Sequence, residues 1–174
     1  MRYALINEED IILRNGDLHY NSWYKPSLKN HPRIHFNISH CSSAIAVAIS
    51  AVAPIGIDIE AIREYSPYSL QRCFSKEEAD YIKNSMNPNK EFFRLWTLKE
   101  SYVKAIGLGM SYPMKKVIFK LNPSLIDSNK AKCNFILLED NSNYVTACCY
   151  GVGKAINYGK LHRIYQCKKD IFNG

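Results

Sequence analysis

The chain has 174 residues, 47% hydrophobic and 22% charged, which is enough apolar material for an interior at an ordinary charge density. No apolar run reaches the roughly 18 residues of a membrane-spanning helix. Glu8, Glu9 and Asp10 come too early for a signal peptide, so a cytoplasmic address without a membrane partner is expected. The net charge of +7 is uneven. Residues 88–174 carry fourteen Lys/Arg against six Asp/Glu, and residues 1–87 nine against ten. A basic half attracts nucleic acid, anionic lipid, a polyphosphate ligand or an acidic protein, and composition does not choose among them.

In chain order, residues 15–33 are rich in turn formers (Asn15-Gly16, Lys25-Pro26, His31-Pro32) and read as a long connection. Ala44 to Ser50 is uniformly small and apolar and fits a buried strand. Ile55 to Glu60 is a second strand, with β-branched residues on one face and Gly56, Asp58 and Glu60 on the other. Four residues, Ala51 to Pro54, separate the two strands and predict a hairpin. Ser75 and Glu78 form a capping-box pattern that starts a helix running to about Met86, before Asn87-Pro88. A second helix runs from about Asn89 to Ile106 and stops at Gly107. Strands are expected at 117–121, 133–138, 144–150 and 158–165. The class is α+β, with mostly antiparallel pairing because the connections are short. The six cysteines show no CxxC pair and no zinc spacing, so reduced thiols are expected.

Three groups of residues carry chemistry. Asp58 and Glu60, two apart on a strand, project from one face. Paired carboxylates in apolar surroundings repel unless a cation lies between them, and a hard divalent ion such as magnesium suits oxygen ligands. Glu100 and Lys104 lie four apart on one helical face. They read either as a surface ion pair or as a metal ligand or base beside a phosphate contact. Ser39 and His40 directly precede the first buried strand, where polar side chains and backbone N–H groups can hold a phosphate. His40 and Cys41 are adjacent and diverge on extended backbone, which argues against a Cys–His catalytic pair.

In order and spacing, Phe36-Asn37-Ile38-Ser39-His40-Cys41, Ile55-Gly56-Ile57-Asp58-Ile59-Glu60, Arg72 to Glu78 and Trp96 to Lys104 resemble the successive motifs of phosphopantetheinyl transferases of the surfactin-synthetase-activating type. Gly107 to Pro113 is similar to the loop after that family's catalytic helix. The resemblance implies a 4'-phosphopantetheinyl transferase-like α+β fold, an antiparallel sheet packed against helices in two pseudo-symmetric lobes. Here the first lobe is reduced to residues 1–57 and the second is 58–174. It implies transfer of phosphopantetheine from coenzyme A to a serine of an acidic acyl or peptidyl carrier protein, the holo-[acyl-carrier-protein] synthase type of reaction. Asp58, Glu60 and Glu100 would hold magnesium, with Glu100 also the base. Lys104 would contact the pyrophosphate. Ser39 and His40 would meet the 3'-phosphate, and Lys25 would lie near the adenine in a segment where Tyr24 replaces the family's glycine. Only 35 residues precede Phe36, so the family's N-terminal basic helix is expected to be absent, which leaves three readings: another subunit completes the site, the site works with weaker coenzyme binding, or activity has been lost. The other classes considered are a non-catalytic coenzyme A or carrier-binding relative, and a nucleic-acid-binding protein using Lys154, Lys160, Arg163, Lys168 and Lys169.

Overall fold

The computed structural model describes residues 17–42, 44–122, 125–138 and 143–153, and the backbone of 163–168. The connection at 15–33 contains a short hairpin, β1 (Leu18–Tyr20) with β2 (Pro26–Leu28). Then follow β3 (His35–His40), β4 (Ala44–Ser50) and β5 (Ile55–Ala61), and three helices, α1 (Pro67–Cys73), α2 (Lys76–Lys83) and α3 (Pro88–Ile106). Five strands complete the described chain: β6 (Phe119–Asn122), β7 (Leu125–Ser128), β8 (Asn134–Leu138), β9 (Tyr144–Tyr150) and β10 (Arg163–Lys168). Every pairing is antiparallel. The class is α+β, as the sequence predicts.

The predicted hairpin of β4 with β5 does not form. β4 lies between β3 and β10 in one sheet, and β5 pairs with β9, which pairs with β8, in another. The reason is side-chain size. Ala44, Ala46 and Ala48 on β4 let Ile55, Ile57 and Ile59 of β5 pack onto their face, and all six are buried with Cys148 in one cluster. Face-to-face packing buries both apolar rows, which edge pairing would not. On the side toward β3, two N–H groups of β5 go to side chains instead of a ladder: Ile57 to Asn37 Oδ1 at 2.8 Å and Ile59 to Ser39 Oγ at 3.3 Å.

The other face of β5 lies under α3. Asn87 caps that helix by accepting from Lys90 N, Pro88 occupies its first turn, and Gly107 ends it in the left-handed region (φ 72°). Pro88, which reads in the sequence as a stop for the helix before it, is the start of the helix after it. α3 passes so close to β5 that a Cβ on Gly56 would sit 2.1 Å from the Ser101 carbonyl oxygen and 2.4 Å from Ala105 N. Around this crossing Leu95, Leu98, Val145 and Ala147 join Leu70, Phe74, Phe92 and Val117 in the larger core. Tyr65, Phe92 and Trp96 stack there, with centroids 4.9 and 5.8 Å apart.

α2 starts at Ser75 with both halves of the predicted capping box present, but its C-cap is Asn84, so it ends sooner than Met86. Its Glu78 carboxylate accepts from Ser75 N, Phe119 N (3.0 Å) and Lys99 Nζ (2.8 Å). Lys99 is fully buried and donates also to the carbonyls of Met114 and Val117. α1 and β7 escaped the sequence pattern, being one and a half to two turns of helix and four residues of strand. The strand expected at 117–121 begins later, at Phe119, after a 3-10 turn over Met114–Lys116. β8 and β9 lie where expected. Of the strand expected at 158–165, residues 158–162 lie outside the described residues, and β10 runs to Lys168. The five described cysteines are free thiols.

Gly56→Ala is expected to prevent the close crossing, because the atoms it meets are backbone and cannot swing aside. The expected loss is at least about 3 kcal/mol, beyond ordinary overpacking. Urea unfolding of the variant against wild type measures it, and a loss under about 1 kcal/mol would show that α3 can lift off β5 freely.

Candidate functional site

β5 and α3 bring Asp58 and Lys104 together because Gly56 lets the helix down onto the strand. Lys104 Nζ is 2.6 Å from Asp58 Oδ1. Ser39, arriving on β3, completes the cluster. Its hydroxyl donates to Asp58 Oδ1 at 2.9 Å and accepts from Lys104 Nζ at 2.9 Å and from Ile59 N. A serine hydroxyl offers one proton and two lone pairs, and all three are engaged. Asp58 is 4% exposed, and its second oxygen, Oδ2, is buried without a hydrogen-bond partner. Glu100, one helical turn before Lys104, is also buried.

The charges disturb one another. Burial raises the Asp58 carboxyl, while the charge and hydrogen bond of Lys104 hold it down and Glu60 pushes it further up. Burial, then the Asp58 carboxylate, push Glu100 up to about 7, with Lys104 opposing and Glu60 adding. Such a cluster is short of positive charge. Lys104 pairs with Asp58 and Arg63 with Glu60, which leaves Glu100 without an ion pair of its own among the described residues and the orphaned Asp58 oxygen as the place where a further cation would be accommodated. The donors are all oxygen, as a hard divalent ion requires, so the chemistry of the set fits magnesium. Among the described residues, however, no three Asp, Glu, His or Cys side chains already form a metal-holding group. Glu60 turns to Arg63 at 2.8 Å at the edge of the site, and Lys104 takes one Asp58 oxygen.

The remaining predicted residues fall elsewhere. His40 follows Ser39 on the strand, so the two side chains point to opposite faces: Ser39 is buried against Asp58 and His40 is exposed. They do not converge on one pocket. Lys25 spends its ammonium on the carbonyls of Ala105 (2.7 Å) and Ile55 (3.1 Å), and burial lowers its pKa to about 8. It thereby satisfies one of the last carbonyls of α3, which have no partner within the helix. Lys154, Lys160 and Lys169 lie outside the described residues, as do the side chains of Arg163 and Lys168. Sequence reasoning missed Asn37 and Arg63. A polar Asn on a strand beside a buried run was the available signal for Asn37, and a basic residue three positions after Glu60 was the signal for Arg63.

A separate cleft of about 650 Å³ opens between β7 and β8, lined by Arg94, Lys130, Phe135 and Tyr150 among others. None of Ser39, Asp58, Glu100 or Lys104 lines it.

Because the folded protein holds the Glu100 proton to about pH 7 and the unfolded chain releases it near 4.5, the folded state binds more protons between those values. Ligand-free stability therefore falls as pH rises from about 5 to about 8. Glu100→Gln is expected to flatten that fall, with its largest relative gain, at most about 3 kcal/mol, near pH 8. Urea denaturation at about pH 5, 6.5 and 8 measures it. A wild-type slope that persists in the variant would clear Glu100 of responsibility.

The family model described as the 4'-phosphopantetheinyl transferase superfamily matches residues 54–149. Over 121 residues the chain is 36% identical to the 4'-phosphopantetheinyl transferase gsp of Aneurinibacillus migulanus, covering 58% of this chain and 51% of that one. Over 147 residues it is 31% identical to the 4'-phosphopantetheinyl transferase Sfp of Bacillus subtilis strain 168, covering 79% and 65%. Among solved structures it is similar to the holo-[acyl-carrier-protein] synthase of Thermotoga maritima at 16% identity and a TM-score of 0.48, over 56% of this chain and 61% of that one. The chain spans about half the length of the curated relatives it matches.

Proposed function

This chain belongs to the 4'-phosphopantetheinyl transferase superfamily, and from that premise we propose that it moves the phosphopantetheine arm of coenzyme A onto a serine of a carrier protein. The observation that carries the reading is the cluster of Ser39, Asp58, Glu100 and Lys104. It is drawn from three elements and contains buried acids, an orphaned oxygen and a partly exposed ammonium. In this reading the chain acts as one unit in the cytoplasm, with residues 1–57 as its N-terminal lobe and 58–174 as its C-terminal lobe.

In the reaction the serine oxygen of the carrier attacks the phosphorus that bears the pantetheine arm. A new P–O bond forms, and the bond to adenosine 3',5'-bisphosphate breaks. Lys104, 28% exposed at its side chain, supplies positive charge to the nonbridging oxygens. Glu100 accepts the serine proton. Ser39 holds Lys104 and Asp58 in register. A magnesium ion, when bound by Asp58, Glu60 and Glu100, would neutralise the pyrophosphate and make the leaving group better. To reach it Glu60 would leave Arg63. At the 3'-phosphate, His40 is the exposed candidate, while Ser39 and Lys25 would have to give up the hydrogen bonds they make now.

Incubating the full chain with coenzyme A, magnesium and an apo carrier is expected to add the mass of one phosphopantetheine arm to the carrier, read by intact mass spectrometry. Asp58→Ala is expected to abolish transfer while keeping the thermal melt. Lys104→Ala is expected to slow turnover by on the order of a hundredfold, the scale of one lost positioned charge. A loss under about threefold would reduce the Lys104–Asp58 contact to an ordinary ion pair. Coenzyme A that binds and never transfers to any carrier would favour a non-catalytic relative.

Dephospho-coenzyme A is expected to bind more weakly than coenzyme A by about 1–2 kcal/mol, one charge-assisted hydrogen bond, and the difference should vanish in His40→Ala. Calorimetric titration of both ligands decides it. Equal affinities in wild type would remove His40 from the phosphate site.

A further inference from the structure

We propose that Cys133 and Cys149 form a peroxide-sensitive thiol pair, in which Cys133 is oxidised first and Cys149 closes the disulfide. The pair is separate from the cluster around Asp58, and the proposal does not depend on the transferase reading.

The sheet brings the two thiols together. Cys149 lies on β9 opposite Phe135 of β8. Cys133 stands two positions before Phe135, so alternation puts it on the same face, diagonally across from Cys149. That face lies under α3, where Tyr102 packs against Phe135 with ring centroids 6.4 Å apart. On its other side Cys149 pairs with Gly56, so it sits beneath the close crossing. The Cys149 thiol donates a hydrogen bond to the Cys133 sulfur. Diagonal neighbours stand near the upper limit of disulfide reach. Cys133 directly precedes β8 and is held by a turn, its N–H on the Lys130 carbonyl at 3.0 Å, rather than by the ladder. The remaining approach falls to that turn.

Burial and charge give the two sulfurs different roles. Cys149 is fully buried, while Cys133 is half-buried and lines the cleft between β7 and β8. A small hydroperoxide in that cleft meets Cys133 and not Cys149. Lys130 lines the same cleft, with its ammonium 5.5 Å over the Tyr102 ring and 3.4 Å from the Tyr112 hydroxyl. The hydrogen bond from Cys149 lowers the pKa of Cys133, burial opposes it, and the Lys130 charge adds to the lowering. Burial holds Cys149 well above the ordinary thiol range, so its proton stays in that bond. A partly exposed thiol beside a donor and a cation is the kind that reacts as thiolate. The neighbouring Cys148 faces the other way, into the alanine and isoleucine cluster, and burial pushes it up to about 12. Burial also raises Cys73.

The oxidant is hydrogen peroxide. The Cys133 sulfur attacks one peroxide oxygen, an S–O bond forms, the O–O bond breaks, and the departing hydroxide takes a proton to leave as water. The Cys149 sulfur then attacks Cys133, passing its proton to the hydroxyl there. The S–S bond forms, the S–O bond breaks, and a second water leaves. The two thiols lose two electrons and two protons, and the peroxide gains them.

The test exposes the full chain to stoichiometric peroxide, caps free thiols with iodoacetamide and reads the intact mass and the peptides. Wild type is expected to lose two hydrogens, with Cys133 joined to Cys149, and dithiothreitol is expected to restore both thiols. Cys149→Ser is expected to stop at the sulfenic acid, trapped by dimedone on Cys133. Cys149→Ala repeats that arm in case serine at this buried position disturbs the fold. In the reduced protein iodoacetamide is expected to modify Cys133 before Cys73 and Cys148. A Cys133 that is still fully alkylated after peroxide would overturn the proposal, as would a disulfide joining any other pair. Sulfinic acid at Cys133 with Cys149 still free would also overturn it, because the second thiol would then be out of reach.

Discussion

The site depends on one close approach, that of α3 to β5 across Gly56. With any side chain there, the backbone atoms of Ser101 and Ala105 would have to withdraw. Lys104 and Glu100 ride on the same two turns of helix, so they would withdraw as well. The Lys104–Asp58 contact of 2.6 Å and the saturated hydroxyl of Ser39 follow from that fit. The C-terminal end of the helix is held by Lys25 and Asn21, which bond the carbonyls of Ala105 and Gly107. Thus the crossing fixes how deep α3 lies, and the N-terminal turn fixes its end.

The second feature is economy of polar side chains at the sheet junction. β3 and β5 belong to different sheets, and two N–H groups that would otherwise be buried without a partner bond Asn37 and Ser39. An unpaired buried N–H costs about as much as a lost hydrogen bond. Ser39 serves both structure and site: the same oxygen that accepts from Ile59 orients Asp58 and Lys104. Replacing it by alanine would leave the Ile59 amide without its partner and take from Asp58 Oδ1 one of the two donors it has, Lys104 remaining, so its contribution cannot be assigned to one role alone.

Much of this was legible beforehand, for identifiable reasons. Capping chemistry is local, so Ser75, Glu78 and Gly107 marked helix ends correctly. The period of two placed Gly56, Asp58 and Glu60 on one face, and the structure sets Gly56 and Asp58 under α3. What failed was partner choice between strands. The short link from β4 to β5 favoured a hairpin, but nothing in the spacing says that alanines on one strand invite a face rather than an edge. Lys25, Ser39 and His40 were grouped by motif order, yet alternation along β3 sends Ser39 inward and His40 outward, and Lys25 is held by helix carbonyls that only the folded chain supplies. Glu60's partner, Arg63, comes from the irregular segment after the strand, which no periodicity describes.

Glu78 has a consequence for how this protein opens. One buried carboxylate serves the cap of α2, the first amide of β6 and the ammonium of a fully buried lysine on α3. Releasing α2 or α3 alone would part this buried ion pair and strand a charge in the interior, which costs about 3–5 kcal/mol, and releasing β6 would take one donor from Glu78. Gradual fraying from α2 inward is therefore closed off. Protection of the Ser75 and Phe119 amides is thereby tied to the packing of the middle of α3. The helix that carries Glu100 and Lys104 is thus coupled at its middle to α2 and β6, although its far end borders an exposed turn.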